Sequence, residues 1–211
     1  PPASLTMDEA MREYGLCRAG PDRAKVARFV IAARSLHELT NATVRTKIRP
    51  PAFDPWPLSV VFGDNHVEDL ERIAALEASS FGYNFKVRAA EARIKTVGEV
   101  SVVTERFNAH WEVFLELPHH SDFDALMPAL FDARAAAKFR TGGTSPELFP
   151  SAAELARFVF AANAHGVPFK ATAGLHHLKT GDYPLTFAPN SPKHRMVGWF
   201  ILTFAAAAVF R

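Results

Sequence analysis

Short apolar runs alternate with amphipathic helical patterns along this chain, most regularly in its second half. The strands predicted there are 111–117, 137–141 and 167–173. Between them, Ser121 with Asp124 and Ser151 with Glu154 are typical of helix N-termini. This alternation indicates strand–helix units built around a mainly parallel sheet.

The first half is less regular but has the same character. Its predicted strands are 26–33, 57–62 and 83–94, and a helix capped by Asn65 is predicted over 67–80. We therefore predict one α/β domain over residues 1–211, with a TIM-barrel-like (β/α)8 fold. Six strands fall short of the eight in such a barrel, so either some strands escape this pattern or the barrel is truncated in this chain, and an open parallel α/β sheet is the alternative.

Three segments are assigned outside this pattern. Residues 1–20 are expected to be loosely ordered. The proline-rich stretch 50–57 predicts a loop, and 179–195 predicts a longer loop that could act as a lid. The apolar segment 199–210 predicts a buried helix, because a bilayer span needs about 20 residues.

Composition narrows the classes of function. The 24 basic and 22 acidic residues balance closely, which argues against nucleic acid as a partner and leaves a small anionic metabolite open. The basic run Arg45, Lys47 and Arg49 is read as a solvated edge or as an anion site at a subunit interface. The single Cys17 favours a reducing cytoplasm. We expect no membrane association, and a homo-oligomer remains open.

Polar residues follow several predicted strands, where the sites of parallel α/β proteins lie. The candidate substrate-binding residues are Asp64, Arg140, Thr141, Gly142, Gly143, Gly174 and His176. Gly142 and Gly143 either cradle a phosphate with their backbone N–H groups or merely form a tight turn.

Lys138 and Lys170 each interrupt an apolar strand, where a charged side chain needs a reason. A lysine that loses its hydration favours the neutral amine, which can form a Schiff base with a carbonyl compound. The alternative is a structural ion pair, with Glu116 as the partner. Both interpretations remain open from the residues alone.

The two lysine strands, KFRTGG from Lys138 and KATAGL from Lys170, stand 32 residues apart. Over residues 111–177 the chain resembles deoxyribose-phosphate aldolase, a class I aldolase family with a TIM-barrel fold. The resemblance implies that Lys138 is the Schiff-base lysine, that Lys170 keeps it deprotonated, and that Glu116 assists. It further implies a small phosphorylated or carboxylated carbonyl substrate and no cofactor.

Two other functions are compatible with the sequence. One is a non-catalytic or regulatory barrel that binds an anionic metabolite at the same residues. The other is metal-assisted hydrolysis at the histidine pairs His119, His120, His176 and His177, although the favoured interpretation includes no metal.

Overall fold

The computed structural model describes residues 5–107, 110–186 and 188–209. These residues fall into two compact units. The N-terminal unit comprises 5–92 and 110–112, and the C-terminal unit comprises 93–107, 113–186 and 188–209. The expectation that all 211 residues form one domain stays a prediction.

The N-terminal unit alternates helices and strands. Its elements are α1 (Met7–Ala19), β1 (Phe29–Ala32), α2 (Leu36–Thr46), β2 (Trp56–Val61), α3 (His66–Ala78) and β3 (Phe85–Arg93), whose last residue belongs to the C-terminal unit. Short 3-10 helices span Pro21–Lys25 and Ala33–Ser35. Strand β2 pairs in parallel with β1 and with β3, so it is the central strand of the three.

Two caps explain where helices of this unit begin. The side chain of Asn65 accepts a hydrogen bond from the backbone of Glu68, which confirms the predicted start of α3. Thr6 and Glu9 form a reciprocal capping box at α1. The segment 1–20, expected to be loosely ordered, therefore contains a capped helix with buried residues, whereas residues 1–4 lie outside the described part of the chain.

The C-terminal unit continues the alternation. Its elements are α4 (Gly98–Phe107), β4 (Glu112–Leu117), α5 (Phe123–Asp132), β5 (Ala136–Arg140), a 3-10 helix (Pro146–Leu148), α6 (Ala152–Ala164), β6 (Phe169–Thr172), β7 (Gly181–Pro184), β8 (Lys193–Met196) and α7 (Trp199–Val209). Strand β5 pairs in parallel with β4 and with β6, and β7 pairs antiparallel with β8.

The α/β class with parallel strands is confirmed, and all six predicted strands are present. A closed eight-stranded barrel is not shown, because the described residues supply only these six parallel strands. The predicted loop 179–195 instead contains β7 and most of β8. Its prolines lie at or near the ends of these short strands, where a missing backbone donor is tolerated.

An aromatic cluster fixes the position of β5 against its helices. The rings of Phe139 and Phe158 stack with their centroids 4.5 Å apart, and Phe123 meets both rings edge-on. Because successive side chains of a strand point to opposite faces, Lys138 lies on the face opposite Phe139. The packing of Phe139 against the helices therefore places the side chain of Lys138 on the other face of the sheet.

The last helix departs from the prediction. A helix is present over Trp199–Val209, and Phe210 lies outside the described residues. Trp199, Phe200, Ile201 and Phe204 are exposed, so the expectation of a buried helix was wrong. The apolar content of this segment predicted burial, but only a few small or branched residues of the helix pack against the rest of the C-terminal unit. Among the described residues, none of the helices combines the length and apolar character needed to cross a bilayer.

The predicted cap of α6 is confirmed and offers a direct test of stability. Ser151 accepts a hydrogen bond from the backbone of Glu154, whose carboxylate accepts one from the backbone of Ser151. Ser151→Ala should therefore lower the free energy of unfolding by about 1 kcal/mol in urea titrations. The control Ser101→Ala, at an exposed position inside α4, should change it by less than about 0.5 kcal/mol. Equal effects of the two variants would contradict the capping role.

Candidate functional site

Three charged residues occupy neighbouring positions on the parallel strands of the C-terminal unit. Glu116 on β4 is in register with Lys138 on β5, and Lys138 is in register with Lys170 on β6. Side chains at the same register in parallel strands project from the same face of the sheet. The strand pairing thus brings together the two lysines and the carboxylate, although their catalytic roles stay a prediction.

The centre of this group is a buried ion pair. The Nζ atom of Lys138 lies 2.7 Å from Oε2 of Glu116, and the two residues are only 6% and 8% exposed. The other carboxylate oxygen, Oε1, accepts a hydrogen bond from Nε of Arg140 at 3.2 Å. Nε of Arg93 lies 3.3 Å from the same oxygen. One carboxylate is therefore shared by three cations.

The cations determine the protonation of Glu116. Burial by itself disfavours the charged carboxylate, but the hydrogen bond from Lys138 and the positive charges of Lys138 and Arg140 outweigh it. They hold the pKa of Glu116 below its ordinary value. Glu116 is consequently ionised at neutral pH, and it is a weaker proton acceptor than a solvent-exposed glutamate.

Lys170 makes a different contact. Its Nζ atom lies 4.1 Å from the centroid of the Phe114 ring, a distance suited to a cation–π interaction. Phe114 is on β4, two residues before Glu116, and its register partner on β5 is the small residue Ala136. The small side chain at that position lets Lys170 extend across β5 to the ring.

The glycines after β5 and β6 have a structural reason to be glycine. A Cβ atom on Gly142 would come within 2.5 Å of the Cα atom of Gly174. Gly174 has a φ of +58°, and a Cβ atom there would meet the carbonyl oxygen of Thr141 at 2.2 Å. The hydroxyl of Thr141 donates to the carbonyl oxygen of Ala173. The two loops are therefore packed backbone to backbone, which explains Gly142 and Gly174 without a phosphate.

The first histidine pair makes two separate contacts. Nε2 of His119 lies 2.8 Å from the backbone oxygen of Arg140, so this nitrogen carries the proton and donates it. His120 is exposed, and its Nδ1 lies 2.7 Å from Oε1 of Glu154. The pair is thus divided between the end of β5 and the start of α6.

The second pair is also divided. The ring of His177 stacks on Tyr183 with the centroids 3.4 Å apart. Burial and the adjacent His177 lower the pKa of His176, which favours its neutral form at pH 7. Among the described residues, no group of three or more His, Cys, Asp or Glu side chains is arranged to hold a metal ion. Metal-assisted hydrolysis stays a prediction.

Two cavities are lined by residues of this candidate site, and Arg140 lines both. The first, of about 260 Å³, is also lined by Gly143, Gly174, His176, Phe149 and Met196. The second, of about 350 Å³, is also lined by Arg93, Glu116, Pro118, His119 and Leu148. Arg140 lines both spaces, and a guanidinium group is suited to hold the anionic part of a small ligand.

One predicted site residue lies in the other unit, and one contributor was missed. Asp64 follows β2 in the N-terminal unit and is exposed, so its membership of this site stays a prediction.

Arg93 was not predicted, although it is the last residue of β3. The rule that ligand-binding side chains follow strand ends would have identified it.

Comparisons of the chain with protein-family models, with curated proteins and with solved structures found no match. The resemblance to class I aldolases therefore rests on the two lysine-strand motifs.

The shared carboxylate predicts an order of stability among variants. Glu116→Gln should lower the free energy of unfolding by about 3 kcal/mol at pH 7, because it removes the negative charge from three cations. Lys138→Met should cost at least about 1 kcal/mol less, because Glu116 keeps its contacts with Arg140 and Arg93. The control Glu105→Gln, at an exposed position of α4, should cost less than about 0.5 kcal/mol.

The pH dependence follows from the lowered pKa of Glu116. Its ionisation stabilises the folded state above the ordinary carboxyl range, and this contribution is lost as pH falls through the folded-state pKa. The difference in stability between wild type and Glu116→Gln should therefore shrink below about pH 4. Urea unfolding from pH 7 to pH 3 measures it. A difference that stays constant with pH would show that the charge of Glu116 is not the cause.

Proposed function

We propose that this protein is an aldolase-like enzyme that acts on a small phosphorylated or carboxylated carbonyl compound through a Schiff base on Lys138. The observation that carries the proposal is the register that aligns Glu116, Lys138 and Lys170 on three adjacent strands. The proposal includes the finer features that the resemblance implies, namely a barrel of the (β/α)8 type and a cytoplasmic enzyme.

The ion pair supplies a route for the proton in imine formation. Glu116 accepts a proton from the Lys138 ammonium group, and the neutral amine attacks the carbonyl carbon to give a carbinolamine. Glu116 then returns the proton to the carbinolamine hydroxyl, which leaves as water. The iminium ion that forms carries the same single positive charge as the original ammonium group, so the ion pair with Glu116 is kept.

The neighbouring cations have two further roles in the proposal. The positive charge of Lys170, next to Lys138 in register, opposes the ammonium form of Lys138 and so favours the nucleophile. Arg140 binds the phosphate or carboxylate of the substrate, because it lines both cavities. The iminium group would then withdraw electrons from the adjacent carbon–carbon bond, as a lyase of this type requires.

The same ion pair favours a second candidate, a non-catalytic protein that binds an anionic metabolite. Glu116 lies 2.7 Å from Nζ of Lys138, and its lowered pKa makes it a weak base. A weak base is poorly suited to take the proton from the Lys138 ammonium group. In this candidate Arg140 and Arg93 hold the anion and no covalent step occurs.

Borohydride trapping separates the two candidates. With pyruvate or glycolaldehyde phosphate as the carbonyl compound, peptide mapping by mass spectrometry should find the reduced adduct on Lys138. Lys138→Ala should abolish this adduct, whereas Lys193→Ala, at an exposed position of β8, should not affect it. Lys170→Ala should lower the yield at pH 7, because a positive charge that favours the neutral amine has been removed.

Two outcomes would contradict the enzyme proposal. An adduct on Lys170 alone would reverse the assignment of the lysines. Adducts confined to exposed lysines, in a protein that still binds phosphate in a manner abolished by Arg140→Met, would support the non-catalytic candidate.

A further inference from the structure

The N-terminal unit contains a cavity of about 570 Å³, a size usual for sites that bind small molecules. It lies between the C-terminal half of α1 and the segment that leads from α2 into β2. Its apolar lining consists of Leu16, Ala19, Ile48, Pro50, Pro51 and Trp56. The cavity involves only residues of this unit, and the function proposed above does not use it.

The polar lining of the cavity is strongly cationic. It consists of four arginines and one acid, Arg12, Arg18, Arg23, Arg49 and Asp54. Asp8 and Glu9 interact with the charge of Arg12, so the excess positive charge is carried by Arg18, Arg23 and Arg49, against which only Asp54 is set in the lining. The predicted basic run that ends at Arg49 thus continues into a cluster that the chain fold assembles from three separate segments.

Asp54 orders two of these arginines. Its Oδ1 lies 2.8 Å from Nη2 of Arg18, and its Oδ2 lies 2.9 Å from Nη2 of Arg23. Each guanidinium group carries five N–H donors, so these contacts leave most of the donors for another acceptor. The carboxylate therefore positions the two groups side by side rather than neutralising the cluster.

One N–H donor of Arg18 has no hydrogen-bond acceptor among the described residues. Its side chain is only 14% exposed, and its buried Nε atom has no hydrogen-bond partner among the described residues. That donor is too buried to contact a ligand, so an oxyanion in the cavity would accept hydrogen bonds from the Nη groups of Arg18 instead. Arg49 is held by a different contact, with its guanidinium carbon 5.1 Å from the centroid of Phe81.

We propose that this cavity binds an organic phosphate, with the phosphate against Arg18 and Arg23 and an apolar body against the wall that includes Ile48, Pro50 and Trp56. A phosphate dianion matches the excess positive charge better than a single carboxylate does. The volume and the apolar wall favour an ester with a large hydrophobic group over inorganic phosphate.

Binding of 1-naphthyl phosphate to the full chain tests this proposal by isothermal titration calorimetry in a phosphate-free buffer. We expect it to bind at least tenfold more tightly than inorganic phosphate or 1-naphthol, because only the ester uses both parts of the cavity. Arg23→Met should weaken binding about tenfold, which corresponds to the loss of one charge-assisted contact. Arg23 is more exposed than Arg18, so this variant should keep the fold intact.

The controls separate site binding from general charge effects. Arg34→Met removes an exposed arginine of the same unit that does not line the cavity, and it should leave the affinity within twofold of wild type. Asp54→Asn should not abolish binding, since the arginines remain. The proposal would be overturned if 1-naphthol bound as tightly as its phosphate, if Arg23→Met and Arg34→Met had equal effects, or if no binding occurred at millimolar 1-naphthyl phosphate.

Discussion

The C-terminal unit depends on the buried carboxylate of Glu116, around which three cations are arranged. An isolated buried charge is costly, so Lys138 is tolerated at this depth because it meets Glu116 at 2.7 Å. The strand register makes the meeting possible, and the aromatic cluster on the other face of β5 maintains the register. Aromatic packing on one face of the sheet thereby positions the charged residues on the other face.

The ion pair of Lys138 and Glu116 has two opposing effects on the proposed imine formation. In the proposed step a proton moves from Lys138 to Glu116 and then to the hydroxyl that leaves as water, so the net charge of the site is unchanged. The low pKa of Glu116 also makes it a weak base toward the Lys138 ammonium group. The two proposed functions differ in the role of Lys170 on the next strand, which assists Lys138 only in the enzyme proposal.

The strands were predictable from the sequence because apolar runs and capping residues are local signals. All six parallel strands and the cap at Ser151 were identified in this way. The pairing of β7 with β8 was missed because its alternation is weak among prolines and polar residues. The exposure of Trp199 was missed because the apolar content of a helix does not show how much of its surface a neighbour covers. The approach of Gly142 to Gly174 and the cluster around Asp54 join segments distant in sequence, which no local pattern reveals.

A double-mutant cycle on the free energy of unfolding tests the central claim most directly, with Glu116→Gln, Lys138→Met and the double variant compared at pH 7. If the two side chains form the buried pair on which the site is built, the double variant should be more stable than the sum of the single losses implies, by more than about 1 kcal/mol. Losses that add to within about 0.3 kcal/mol would show that Lys138 and Glu116 are not coupled, and would contradict the account of the site.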